Sequence, residues 1–303
     1  MSFDDIIEYN KQQAAQYEWD PSWFDCTDFD KLLVHAIRRF QQANGLTADG
    51  MCGPSTYRRK WTEREASGDY DVVDYPNDGE SYIIHNGNAV TIHWPKVKLW
   101  NQEGGYSTKE GAYSSYAGLG DRKPKFFVNH WDVCLNSRSC ARVLWQRGIS
   151  VHFCIDNDGT IYQLLDTQHA AWHAGNRTWN HNSVGVEISN AYDLKWQDWY
   201  VQNGFGERPI MSGYKCHGRK LDPFLGFYDV QLEALAALWE AMNRACGMPF
   251  NIPQNLGGVD PDCAGNRFEG FCHHYSLTDR KIDCASLDLR KVVQKAVMIS
   301  QEN

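Results

Sequence analysis

The chain has 303 residues, 42% of them hydrophobic and 22% charged, so it can bury a real core and is not wholesale disordered. A net charge of -8 argues against a dedicated nucleic-acid binder, and no apolar run is long enough to insert into a membrane. Twelve Trp and fifteen Tyr suit either core filling or stacking on sugar rings.

Residues 1–65 read as a small helical unit. Lys31 to Asn44 places Leu33, Ile37 and Phe40 on one face, and Gly45 stops the helix. The Gly-rich GLTADGMCGPST follows, and Pro54 opens a second short helix expected to end near Trp61. Residues 66–80, acidic with Pro and Gly, read as a linker, and residues 81–303 as a second domain. At 81–94, two β-prone runs flank Asn86-Gly87, a hairpin signal. The Gly-, Ser- and Tyr-rich stretch 101–122 reads as loop. From residue 126 strands and helices alternate: FFVNHW (126–131), ISVHFCID (149–156), a turn at Asp158-Gly159, TIYQLLD (160–166) and SVGVEIS (183–189). A helix from Val230 to Cys246, capped by Asp229, carries Leu232, Leu235, Trp239 and Met242 as its apolar stripe. The expected fold is α/β: a mixed sheet covered by helices, preceded by the helical unit.

Ten cysteines would permit disulfides. The N-terminus MSFDDIIEYN is acidic where a signal peptide is basic and then apolar, so the expectation is synthesis in a reducing cytosol with most cysteines as thiols.

His130 ends an apolar strand, and His273, His274, Asp283 and Cys284 lie together in CHHYSLTDRKIDC. Two imidazoles with a carboxylate or thiolate, and water in the fourth position, make an open catalytic zinc site. These residues leave His273 against His274 and Asp283 against Cys284 undecided. In SVGVEIS, Val184, Val186 and Ile188 face one way while Gly185 and Glu187 face the other. Glu187 is therefore either a solvent-facing strand residue or a general base over a cleft floored by small residues. AAWHAGN (170–176) presents Trp172, His173 and Asn176 from a small-residue loop.

Taken in order, FFVNHW, SVHFCIDNDGTIYQLLD, AAWHAGN, SVGVEIS and HYSLTDRKIDC resemble the zinc N-acetylmuramoyl-L-alanine amidases of the type 2 amidase and peptidoglycan-recognition-protein family, over about residues 120–295. AIRRFQQANGLTADGMCGPST resembles a three-helix peptidoglycan-binding domain, and the pairing looks like a phage endolysin. The resemblance implies zinc (Zn2+) held by His130, His274 and Asp283, with Glu187 as general base and Lys281 stabilising the oxyanion. It implies His173, Asn176 and Trp172 at the substrate. The family often has Pro-Gly after its Asp ligand, whereas Cys284-Ala285 stands here.

The implied reaction cuts the amide between N-acetylmuramic acid and L-alanine of bacterial peptidoglycan by zinc-activated water. The alternatives are a peptidoglycan receptor that binds without cutting and a glycosidase with paired carboxylates. The implied life history is a monomer made in the host cytoplasm, acting on the wall after release or from a virion. Deleting residues 1–65 is expected to weaken wall binding more than cleavage of a small soluble muropeptide.

Overall fold

The computed structural model describes residues 1–68 and 81–302. Beyond Gly68, the expected linker lies outside the described residues. The N-terminal unit is built from helices α1 (Phe3–Tyr17), α2 (Lys31–Ala43) and α3 (Pro54–Ala66). Asp30 caps α2 by accepting from Leu33 N–H, and Gly45 leaves it at φ +65°. Helix α3 begins at Pro54 as expected but runs one turn past Trp61. Its extra residues are held by tertiary contacts, because Thr62 is buried against the next domain.

Six strands form the central sheet: β1 (Val97–Leu99), β2 (Phe126–Trp131), β3 (Phe153–Ile155), β4 (Ile161–Gln163), β5 (Ser183–Ile188) and β6 (Gly270–His273). Their order is β6-β2-β5-β3-β4-β1. Strands β6, β2, β5 and β3 are parallel, β4 is antiparallel to β3 across the Asp158-Gly159 turn, and β1 is parallel to β4. This is the expected mixed sheet.

On one face, helices α5 (Asp229–Cys246) and α6 (Leu289–Glu302) bury Leu235, Trp239 and Met242 against Phe127, Val184, Val186, Ile188 and Phe271. Trp239 stacks on Phe271 at 4.4 Å. Asp229 is the first helical residue of α5 rather than its cap; Tyr228 takes that position, its N–H donating to the Gln231 side chain. Helix α4 (Ser137–Arg147) covers the other face. The hairpin at Asn86-Gly87 is present, with both residues at positive φ and their N–H groups donating to the Asp166 carboxylate.

The N-terminal unit is docked on α4 and shares its core. Tyr17, Trp23 and Tyr57 lie in one apolar cluster with Cys134, Cys140, Leu144 and Cys154. Trp61 Nε1 donates to Ser139 Oγ at 2.9 Å, Arg142 lies over the Trp61 ring, and Thr62 Oγ1 donates to the Val133 carbonyl at 3.3 Å. All ten cysteines are free thiols. No helix among the described residues is long and apolar enough to cross a membrane.

The segment 192–227 lies outside the sheet and is pinned to it by Arg208. This buried guanidinium donates to the carbonyls of Gly226 and Ser189 and to the side chains of Gln231 and Asn157, and it lies between the Tyr200 and Tyr228 rings. Trp196, Trp199 and Tyr200 fill a small core with Leu135, Ala191 and Leu225.

Candidate active site

The parallel strands carry the site at their carboxyl ends, where an open α/β sheet generally binds ligands. His130 and Glu187 are register partners near the ends of β2 and β5, and His274 directly follows β6. The backbone then returns, with Tyr275 N–H donating to the Asp283 carbonyl, and this brings Asp283 alongside. Asp283 Oδ2 lies 3.1 Å from His130 Nδ1 and 3.0 Å from His274 Nδ1, and all three residues are buried.

A chain of hydrogen bonds fixes the His130 tautomer. Ser183 Oγ donates to the Trp179 carbonyl at 2.7 Å, so it accepts from His173 Nε2–H at 3.2 Å. His173 Nδ1 then offers a lone pair to His130 Nε2 at 3.0 Å, and His130 Nε2 carries the proton. His130 Nδ1 is left bare, facing a carboxylate oxygen. Burial and the neighbouring His274 push the His130 pKa down, which disfavours a second proton. Burial alone would raise Asp283, but the imidazoles of His274 and His130 hold it well below the usual carboxylate range. A bare imidazole nitrogen against an ionised carboxylate calls for a cation between them. Metal–ligand bonds of about 2.0–2.1 Å in a tetrahedron set ligand atoms about 3.4 Å apart, close to the spacing found. The donor set therefore fits a zinc ion, and among the described residues no other His, Cys, Asp and Glu group converges this way.

His273 and Cys284 stand apart from this group. His273 stacks on Tyr275 at 4.4 Å, and burial pushes its pKa down to about 3. Cys284 lies in the apolar core under α5 and α6, where burial raises its thiol.

A cavity of about 130 Å³ opens over the triad, lined also by His173, Glu187 and Lys281. Burial raises the Glu187 pKa, His130 opposing it, and its Oε2 has no hydrogen-bond partner. Glu187 thus combines a raised pKa with a free oxygen. The strand alternation holds: Val184, Val186 and Ile188 are in the core, while Glu187 lines the cavity and Gly185 abuts His173. Gly185 is required there, because a Cβ would lie 2.5 Å from His173 Nδ1.

The expected substrate loop divides. His173 lines the metal cavity, whereas Trp172 and Asn176 line a separate open groove with Ser114, Arg177 and His181. Asn176 Oδ1 caps a short helix by accepting from Trp179 N–H at 2.8 Å. The sequence reading missed Arg58, on α3, and Arg147, at the end of α4, which line the metal cavity with Pro54 and Ser55. No sequence motif marks either arginine; only the docking of the N-terminal unit brings them to the site.

The sequence pattern of the N-acetylmuramoyl-L-alanine amidase family matches residues 120–283, more than half of the chain. The chain belongs to that family. The amidase is a peptidoglycan hydrolase, acting on the bond between N-acetylmuramic acid and the L-alanine of the stem peptide. Residues 13–59 match a peptidoglycan binding domain. No curated protein sequence matches the amidase. Solved structures similar to it include the hydrolase AmiA of Staphylococcus aureus, at 14% identity over 69% of this chain and 86% of that one, with a TM-score of 0.42. The amidase AmiD of E. coli is 18% identical over 61% and 66%, at 0.38. The endolysin LysCS of Clostridium intestinale is 16% identical over 67% and 96%, at 0.39.

Proposed function

We propose that the amidase holds one zinc ion through His130 Nδ1, His274 Nδ1 and Asp283, and that Glu187 is its general base. The observation that carries this reading is the bare His130 nitrogen facing the Asp283 carboxylate across 3.1 Å. When bound, the ion supplies Lewis acidity and brings the pKa of a coordinated water towards about 7. Glu187 takes the water proton at its unpartnered Oε2 and returns it to the departing L-alanine nitrogen, the task for which a raised carboxylate pKa suits it. The Lys281 ammonium, on the cavity wall, faces the negative charge that develops on the scissile carbonyl oxygen. His173 holds the His130 ring in its productive tautomer. Trp172 and Asn176, beside the neighbouring groove, contact the substrate farther from the cut.

The pairing with a peptidoglycan binding domain supports an endolysin-like role; we extend it to a phage product made in a host cytoplasm and acting as a monomer on the wall. Incubated with peptidoglycan and zinc, the protein should free L-alanine amino termini, and chelation should stop the release. Stem peptides that stay attached would favour a receptor. Glu187→Gln should keep zinc at one ion per chain and lower turnover by about 10²–10⁴-fold. Full turnover in that variant would remove Glu187 from the mechanism.

A further inference from the structure

The cavity over the metal triad has a wall from outside the catalytic domain. Pro54, Ser55 and Arg58 of α3 line it, facing Arg147 at the end of α4. The docking that puts them there is specific. Arg58 Nη1 reaches the Asp132 carbonyl at 3.4 Å, and the Thr62 hydroxyl is shared between the Arg58 carbonyl at 3.0 Å and the next carbonyl along, of Val133, at 3.3 Å. Val133 is held at φ +55°, an unusual conformation for a β-branched residue. Its segment directly follows β2, which carries His130. Helix α3 thus grips the strand end that builds the site.

Three cations, Arg58, Arg147 and Lys281, line this small cavity, and none makes an ion pair with a described residue. The buried Nε of Arg58 has no hydrogen-bond partner. The two carboxylates on the lining are already assigned: Asp283 faces the two histidines, and Glu187 lies on the floor. Arg147 is half-buried, which costs its charged form, and the like charge of Arg58 adds to that cost. The Glu187 charge reaches all three cations through space without an ion-pair contact, and a guanidinium pair matches a carboxylate in shape and charge.

We propose that Arg58 and Arg147 form a carboxylate subsite for the stem peptide, so that the N-terminal unit completes the active site as well as binding the wall. The proposal rests on the amidase reading and assigns the acidic residue that follows L-alanine. One extended residue spans about 3.3–3.6 Å, so a carboxylate there falls within the reach of a cavity shared by the triad and both guanidiniums. The free α-carboxylate of a γ-linked glutamate satisfies the subsite; its amide does not.

The test uses the full chain loaded with zinc and two soluble muropeptides, N-acetylmuramoyl-L-alanyl-γ-D-glutamyl-L-lysinamide and its isoglutamine counterpart, in both of which the γ-carboxyl is tied up in the peptide bond. The unaltered chain should cleave the acid with a kcat/KM about tenfold or more above that of the amide. Arg58→Ala should bring the acid down to the level of the amide, with the loss falling on KM, and Arg58→Lys should restore part of the preference. An unaltered chain indifferent to acid and amide would overturn the subsite, as would an Arg58→Ala variant that weakens both substrates equally. An unaltered chain that cleaves neither would overturn the underlying amidase reading instead.

Discussion

Two pairs of arginines use the same guanidinium in opposite ways. Arg122 and Arg208 are buried under loops, and carbonyl oxygens surround them. Arg122 donates to the carbonyls of Thr167, His169, Asn180, His181 and Ser183, tying both ends of the 170–176 loop to the start of β5. Burial pushes its pKa down to about 10, still far above neutrality, so it stays charged. Arg58 and Arg147 stand on the wall of the metal cavity with no carboxylate in ion-pair contact, the Glu187 charge acting on them only through space. Arg208 makes four hydrogen bonds, with only its Nε unpartnered, whereas Arg58 makes one, to the Asp132 carbonyl.

The largest effect should separate the pairs by stability. Arg122→Ala strands buried carbonyls and should cost about 3–5 kcal/mol in denaturant unfolding, whereas Arg58→Ala should change stability by less than about 1 kcal/mol. Equal losses would erase the distinction between them.

Gly185→Ala sharpens the contrast from the side of the metal. Its Cβ would displace His173, which fixes the His130 tautomer, so zinc affinity should fall by about 10–100-fold in a chelator competition. Unchanged affinity would show that His173 does not orient the ligand.

The smallest effect is one of pH. His152 Nε2 donates to the His169 carbonyl while its Nδ1 accepts from Gly185 N–H, so both nitrogens are committed in the neutral form. Burial, helped by Arg122, holds its folded pKa well below 6.5. The unfolded chain then binds the extra proton below about pH 6.5, so stability is full above that pH and falls as pH drops. The slope from this one residue is at most about 1.4 kcal/mol per pH unit. The drop in unfolding free energy from pH 7.5 to pH 5.5, read from denaturant melts, should be smaller by about 1.4 kcal/mol in His152→Gln. An unchanged slope would clear His152 of the effect.

Much of the catalytic domain was legible in the chain. The alternation in SVGVEIS separated Glu187 from the core, and the Asn86-Gly87 and Asp158-Gly159 turns placed two hairpins, because period and turn chemistry are local properties. Local reading could not choose between His274 and His273, which are neighbours in sequence. In the fold, β6 ends at His273, and the chain turns there to bring His274 to Asp283. Trp172 and Asn176 shared a motif with His173 but open onto a different groove, because the loop turns between them. The docking of α3 left no local trace. Arg58 reads as an exposed helical residue until Thr62, Trp61 and Tyr57 bury their side of the helix against α4.

Zinc stoichiometry in matched variants tests the triad most directly. Purified wild-type protein should hold one zinc per chain by mass spectrometry and elemental analysis. Cys284→Ala should keep that ion, and Asp283→Ala should lose it under the same chelator challenge. Retention of tightly bound zinc in Asp283→Ala, with loss in Cys284→Ala, would contradict the site described above.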